Sequence, residues 1–268
     1  MPFSDRQMLR YARHIVLPEV GGTGQAKLLD ASVLVIGAGG LGSPLLLYLA
    51  AAGVGRLGII DDDTVDLSNL HRQIAHPTDH VGLAKTASAK HAIAALNPDI
   101  EVTLHESRLT PDNAADFIQD YDLVADGSDN FATRDAVHST CFSLRKPLVS
   151  AAVQGVEGQL STYKAYLGDP HPCYRCIFPE MPSADLIPSC AEGGVLGPVV
   201  GVMGSLQAVE VVKELLGKGE CLSGTLLLYD GLSTAFNRIK IARRPGCPIC
   251  GGTLRGKGAK VPQEQNPK

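Results

Sequence analysis

The sequence has no excess of positive charge, no long apolar run and no even set of cysteines. Each absence removes a class of protein. The formal net charge is −4, whereas a nucleic-acid surface needs a clustered basic excess. The longest apolar stretches, such as 45–54, are short and interrupted by glycine; a bilayer-spanning helix needs about 20 apolar residues. The opening Met1-Pro2-Phe3-Ser4-Asp5-Arg6 has neither the apolar core nor the cleavage site of a secretory leader. A cytoplasmic protein is expected, with neither a membrane nor a nucleic acid as partner. Seven cysteines, Cys141, Cys173, Cys176, Cys190, Cys221, Cys247 and Cys250, are an odd number in that setting, which argues against a disulfide framework. No internal repeat is present. What remains is an ordinary globular composition, 44% apolar and 19% charged over 268 residues, enough for one α/β core with an appended piece.

The pattern along the chain divides it into four. Residues 1–30 read as a helical segment, with a helix over 4–16 capped by Ser4 and broken by Pro18 and Gly21-Gly22. Residues 31–154 alternate strand and helix. Ser32 to Ile36 is a β-branched buried strand, Gly37-Ala38-Gly39-Gly40-Leu41-Gly42 a turn, 43–52 an apolar helix closed by Gly53, and 57–61 the next strand. Helices follow over 82–96, 111–119 and 130–144, and strands over 100–105, 122–125 and 147–153. This alternation predicts a Rossmann-like, mostly parallel sheet flanked by helices. Residues 155–251 change character. Polar and apolar residues alternate over 158–165, 226–230 and 235–242, predicting an antiparallel β-rich part, and 197–216 reads as a long buried helix. Residues 252–268 are short, polar and expected to be a flexible tail.

The turn at 37–42 fits G-x-G-x-x-G between strand and helix. Glycines there let the backbone approach a phosphate, and the helix N-terminus offers unpaired N–H groups to it. Asp61 ends the second strand, where a ribose-binding carboxylate belongs. The motif alone does not separate NAD from FAD or ATP. The polar run 61–73, with Arg72, and then Lys85 bring two cations to the same crevice. A redox dinucleotide needs few cations beside its pyrophosphate, whereas a triphosphate losing pyrophosphate needs its developing charge neutralised. Asp129, after the fourth strand, is suited to hold Mg²⁺ through one carboxylate plus phosphates. Each of these charges taken singly is equally a solvated surface residue.

Taken together, the runs Gly-Ala-Gly-Gly-Leu-Gly-Ser, Asp-Thr-Val-Asp-Leu-Ser-Asn-Leu-His-Arg-Gln, Val-Gly-Leu-Ala-Lys and Ser-Asp-Asn closely resemble the ThiF/HesA/MoeB family, bacterial relatives of ubiquitin-activating enzymes. The resemblance runs from about Arg10 to Gly251. It implies a homodimeric, ATP-binding adenylyltransferase that activates the C-terminal glycine of a ubiquitin-like sulfur-carrier protein, MoaD- or ThiS-like and ending in Gly-Gly. It places Gly37, Gly39 and Gly40 at the nucleotide and Asp61 on the ribose. Ser68, Asn69, Leu70, His71, Arg72 and Lys85 would line the phosphates, with Asp129 and Asn130 completing the site beside Mg²⁺. Tyr11-Ala12-Arg13-His14 resembles the family's N-terminal motif, whose arginine, here Arg13, reaches the ATP of the neighbouring subunit. A separate sulfur donor is expected, because no rhodanese segment follows Cys250.

Cys173-Tyr174-Arg175-Cys176 and Cys247-Pro248-Ile249-Cys250 are two C-x-x-C knuckles, together the Cys₄ set that structural Zn²⁺ prefers. Both read as loops and not as helix starts, which disfavours a redox dithiol. Cys190, in Pro188-Ser189-Cys190-Ala191-Glu192-Gly193-Gly194, resembles the cysteine that related enzymes use in a thioester or acyl-persulfide step; a catalytic thiol and a spectator both stand. Cys141 and Cys221 read as core or incidental thiols. Two rivals fit the glycine turn: an NAD(P)-dependent oxidoreductase, for which no hydride-transfer constellation is found, and a non-catalytic adaptor for a ubiquitin-like protein. A family member acting on another carboxylate is a closer alternative.

Overall fold

The computed structural model describes residues 3–180 and 193–252. Its frame is one eight-stranded sheet. The strands are β1 (Ser32–Ile36), β2 (Arg56–Ile60), β3 (Glu101–His105), β4 (Leu123–Asp126), β5 (Leu148–Gln154), β6 (Glu157–Tyr163), β7 (Thr225–Asp230) and β8 (Ala235–Lys240), in the order β3-β2-β1-β4-β5-β6-β7-β8. β3 to β5 in that order pair in parallel, and β6 to β8 are antiparallel. The switch falls at the β5–β6 hairpin, where Gln154 pairs with Glu157, so the antiparallel strands extend the parallel sheet. Strands β1 and β4 are buried throughout, as both faces of a parallel sheet are when helices cover them.

Helices α3 (Gly21–Asp30), α4 (Gly42–Ala52), α5 (Lys85–Leu96), α6 (Ala114–Ile118), α7 (Phe131–Leu144) and α9 (Gly197–Leu216) pack on this sheet. One core holds Leu45, Leu49, Val35, Leu57, Met203 and Val211; the other, on the opposite face, holds Leu34, Ile36, Ile118, Val137 and Tyr163. Burying the apolar faces of about 40 such side chains at about 25 cal/mol per Å² is the main drive for this arrangement. The helix α9 buries one face, with Val199, Met203 and Val211 inward, while Val209 is exposed; it is half-covered, not wholly buried as its composition suggested.

Three local expectations are corrected. The single helix expected over 4–16 is two, α1 (Asp5–Arg10) and α2 (Ala12–Ile15), capped by Ser4 through a reciprocal bond with Gln7. Tyr11 separates them. Its ring is buried, its hydroxyl accepts from Asn97 Nδ2 at 2.9 Å, and it occupies the space that a side chain at Gly53 would need. Gly21-Gly22, read as a breaker, instead opens α3, whose Gly24 packs closely on Leu216 of α9; tertiary contact outweighs the glycine penalty of about 1 kcal/mol. Finally, Cys173 is the N-cap of a one-turn helix, α8 (Tyr174–Ile177), so the first knuckle is not a plain loop. An i, i+3 pair of thiols meets most easily across one helical turn.

Candidate nucleotide site and cysteine cluster

The carboxyl ends of β1, β2 and β4 open onto one cavity of about 460 Å³, within the range of ligand pockets and at the edge where open α/β sheets bind ligands. Its wall begins with the turn after β1. Gly37 holds φ +89, a conformation that suits glycine alone. Gly42 stands against the Gly37 carbonyl with no room for a Cβ, so α4 starts hard against the turn. Arg72 packs on Gly40, and Gln73 on Gly39.

Asp61 does more than face the cavity. Its Oδ2 accepts from Ala38 N at 2.8 Å and its Oδ1 from Asp63 N at 2.9 Å. The carboxylate therefore holds the glycine turn to the end of β2 while keeping lone pairs for a ligand. Burial raises its pKa above the usual carboxylate range, against the pull of Lys85 and the two N–H donors. Lys85 opens α5, is buried, and pairs through Nζ with Asp63 Oδ2 at 2.7 Å. A buried ammonium against an exposed carboxylate can change partners when an anion enters. The Arg72 guanidinium donates to Ser68 O at 3.2 Å and to His71 Nε2 at 2.8 Å. Asn130 caps α7 by accepting from Thr133 N at 2.9 Å. The Asp129 carboxylate is exposed at the cavity and has no partner among the described residues. One oxygen each from Asp61, Asp62 and Asp63 also lies within 4.8 Å of the others, but two of the three are already compensated.

The fold thus brings Gly37, Gly39, Gly40, Asp61, Arg72, Lys85, Asp129 and Asn130 to one cavity. Ser68, Asn69, Leu70 and His71 are on the 3₁₀ turn and the residues after it, leading to Arg72, and do not line it. Arg13 is exposed on α2 and does not line it either. Cys190 lies outside the described residues, as do 253–268 of the expected tail.

Several site residues were missed. Arg134 lines the cavity and is buried with Asp126, 3.5 Å away. Its Nη1 donates to Ser150 Oγ at 3.1 Å, Ser150 Oγ donates to Asp126 Oδ2 at 3.0 Å, and its Nη2 donates to Ser128 O. Asp126 Oδ1 accepts from Ser128 N at 2.9 Å, and Gln207 of α9 donates to the Asp126 carbonyl at 2.9 Å. This buried network holds the Ser128-Asp129-Asn130 loop. No local signal marked Arg134, because the buried face of α7 also carries Thr133 and His138. Arg108 and Gln73 also line the cavity. Beyond the glycine turn the cavity continues over Gln154, Glu157, Gln159 and Leu228 of the antiparallel strands.

The four knuckle cysteines converge. Cys173 and Cys247 have Sγ atoms 3.4 Å apart, Cys176 and Cys250 3.4 Å, and Cys173 and Cys176 3.8 Å. No pair is bonded as a disulfide. Tetrahedral Zn–S bonds of about 2.3 Å place sulfurs about 3.8 Å apart, so the cluster is compatible with zinc. Arg243 ties the second knuckle to the turn after β6, donating to Ala165 O at 3.2 Å and to Cys250 O at 2.6 Å. Cys141 is buried in α7, and burial pushes its thiol up; it is a core residue. Among the described residues no helix is long and apolar enough to cross a membrane.

Comparison with known proteins agrees with this geometry. The sulfur carrier protein adenylyltransferase of Thermus thermophilus is 47% identical over 253 residues, covering 94% of this chain and 93% of that protein. The adenylyltransferase and sulfurtransferase MOCS3 of Culex quinquefasciatus is 48% identical over 248 residues, 92% of this chain but only 56% of its own length; the chain spans about half of that relative. Among solved structures, Escherichia coli MccB crystallised with MccA-N7isoASN superimposes with a TM-score of 0.80 at 22% identity, over 91% of this chain and 74% of MccB, which speaks to the fold. The ThiF family model matches residues 11–249, and the chain belongs to the ThiF family.

Proposed function

We propose that this protein is an adenylyltransferase that uses ATP to activate the C-terminal glycine of a ubiquitin-like sulfur-carrier protein. The observation that carries the reading is the meeting of a glycine turn with two cations, the buried Lys85 and the half-buried Arg72, around one cavity. That is more positive charge than a redox dinucleotide requires, and it suits a leaving pyrophosphate. The names of the Thermus and mosquito relatives point the same way.

In this reading the carrier's terminal carboxylate, already ionised at neutral pH, attacks the α-phosphorus of ATP. A carboxyl–phosphate bond forms, the bond to the β-phosphate bridging oxygen breaks, and pyrophosphate leaves with that electron pair. No general base is needed. Lys85 and Arg72 stabilise the charge that develops, and positioning by the glycine turn supplies the rest. Asp129 would hold Mg²⁺, whose charge offsets that of the phosphates when it is bound. The carrier's extended tail would enter over Gln154, Glu157 and Gln159. Arg13, exposed and away from the cavity of its own chain, would complete the site of a second copy in a homodimer. The Cys₄ cluster would hold structural Zn²⁺, stapling the segment after β8 to α8. Sulfur for the later thiocarboxylate would come from a separate donor, and Cys190 is the thiol to test for a role in that step; the carrier would serve molybdopterin, thiamine or a related sulfur pathway. The MOCS3 relatives' names include sulfurtransferase.

The test mixes the purified protein with ATP, Mg²⁺ and a carrier ending in Gly-Gly. Pyrophosphate release and a mass increment of one AMP on the carrier's last glycine are expected. Tight binding of a nicotinamide cofactor with no response to ATP would overturn the proposal.

A further inference from the structure

His76 is a buried side chain that the mechanism above does not use. It stands four residues after Arg72, on the same short segment. Its Nε2 lies 2.8 Å from Ala38 O, inside the glycine turn, and its Nδ1 lies 2.9 Å from Ser88 Oγ on α5. A carbonyl only accepts, so Nε2 carries the proton and donates to Ala38 O. In the neutral ring Nδ1 is then the acceptor, and the Ser88 hydroxyl donates to it. His80 Nδ1, 2.9 Å from the same Ser88 Oγ, completes the chain as a donor. Burial holds His76 below the ordinary imidazole range, against the opposing pull of the Ala38 carbonyl, in keeping with a neutral ring.

The consequence lies in the next atom along. The Ala38–Gly39 peptide is trans, the one cis bond among the described residues being Asp169-Pro170. In a trans peptide C=O and N–H point in opposite directions. Fixing Ala38 O toward His76 therefore aims the Gly39 N–H the other way. Gly39 lines the cavity while Ala38 is fully buried, and the Gly39 N–H has no acceptor among the described residues. Asp61 grips the preceding peptide by accepting from Ala38 N. The turn is thus clamped on both sides of Ala38.

We propose that His76 is a positioning residue for the nucleotide reaction: through Ala38 O it orients the Gly39 N–H as a phosphate donor, with Ser88 and His80 holding its tautomer. This rests on the reading that the cavity takes ATP. A backbone N–H aimed beforehand costs no reorganisation when the anion arrives, whereas a flipped peptide would present a carbonyl oxygen to the phosphate.

The test is a series of His76→Leu, His76→Gln and Ser88→Ala in the full chain. Each variant is followed by ATP–pyrophosphate exchange, thermal unfolding and the ¹⁵N–¹H signal of Gly39 on addition of a non-hydrolysable ATP analogue. A glutamine amide nitrogen can reach the place of Nε2, so His76→Gln is the rescue. His76→Leu is expected to lower kcat/KM for ATP about 10- to 100-fold, with KM for the carrier unchanged and the analogue-induced Gly39 shift lost. His76→Gln restores both to within a few-fold. Should His76→Leu fail to fold, His76→Gln with a preserved Gly39 shift and Ser88→Ala with a weakened one carry the same claim. Wild-type kinetics and a wild-type Gly39 shift in His76→Leu would overturn the inference while leaving ATP use intact. A wild-type protein that shows no exchange overturns the ATP reading and this inference together.

Discussion

Replacing Lys85 by methionine keeps the length and apolar stem of the side chain and removes one buried positive charge. The Lys85 side chain is 7% exposed and its partner Asp63 is 66% exposed, so the two halves of the pair respond differently. Asp63 is left hydrated, and the lost pairing contributes no more than about 1 kcal/mol to stability. The loss to catalysis is larger. A unit charge about 4 Å from a phosphate oxygen, in the effective dielectric of about 20 typical of such sites, interacts by about 4 kcal/mol. That corresponds to a fall of about 10²–10³ in ATP–pyrophosphate exchange, the cost of removing one transition-state donor. A second readout comes from Asp61. Its folded pKa is raised, so its ionised form costs stability once pH rises through that value, and Lys85 reduces the cost. Without Lys85 the folded pKa rises further. The difference in melting temperature between wild type and Lys85→Met is therefore expected to be small in acid, below the ordinary aspartate range, and to widen toward neutrality. Exchange assays and melts at acidic and neutral pH measure both. Near-normal exchange would refute the role of Lys85 at the phosphates, and a gap that narrowed as pH rose would refute its coupling to Asp61.

Arg134→Leu is expected to destabilise the fold by about 3–5 kcal/mol, because Asp126, 1% exposed, is left without its cation; urea midpoints check this, and a change under about 1 kcal/mol would contradict it. Asp129→Asn should leave the melting temperature unchanged, since the carboxylate is exposed and unpartnered among the described residues, yet raise the Mg²⁺ concentration needed for exchange; an unaltered Mg²⁺ curve would remove that role. Elemental analysis is expected to find zinc in the wild type and none in Cys176→Ser, whose melting temperature should fall by several degrees; a wild-type protein equally stable without metal would remove the zinc site. Cys190→Ala should leave exchange at the wild-type level, and a large loss there would place the thiol in the adenylation step itself.

The sequence alone determined the elements whose cause is local. Ser32 to Ile36, the glycine turn and the apolar α4 follow from β-branching, turn geometry and helical periodicity, and they appear at or within a residue or two of where those rules put them. The order of strand and helix decided the parallel half of the sheet for the same reason. The two C-x-x-C pairs announced their own meeting, since thiols at that spacing have few other uses. Only the tertiary structure decided the rest. Tyr11 ends a helix because its ring is needed under Gly53, 42 residues on, and no window around Tyr11 records that. Arg134, Asp126 and Ser150 form a site network because the start of α7, the end of β4 and the middle of β5 meet at one place; singly, each reads as an ordinary polar residue. His76 acquires its role only because the segment after β2 folds back on the turn after β1. Propensity and periodicity act over a few neighbouring residues, whereas burial and hydrogen-bond satisfaction depend on which distant segments meet.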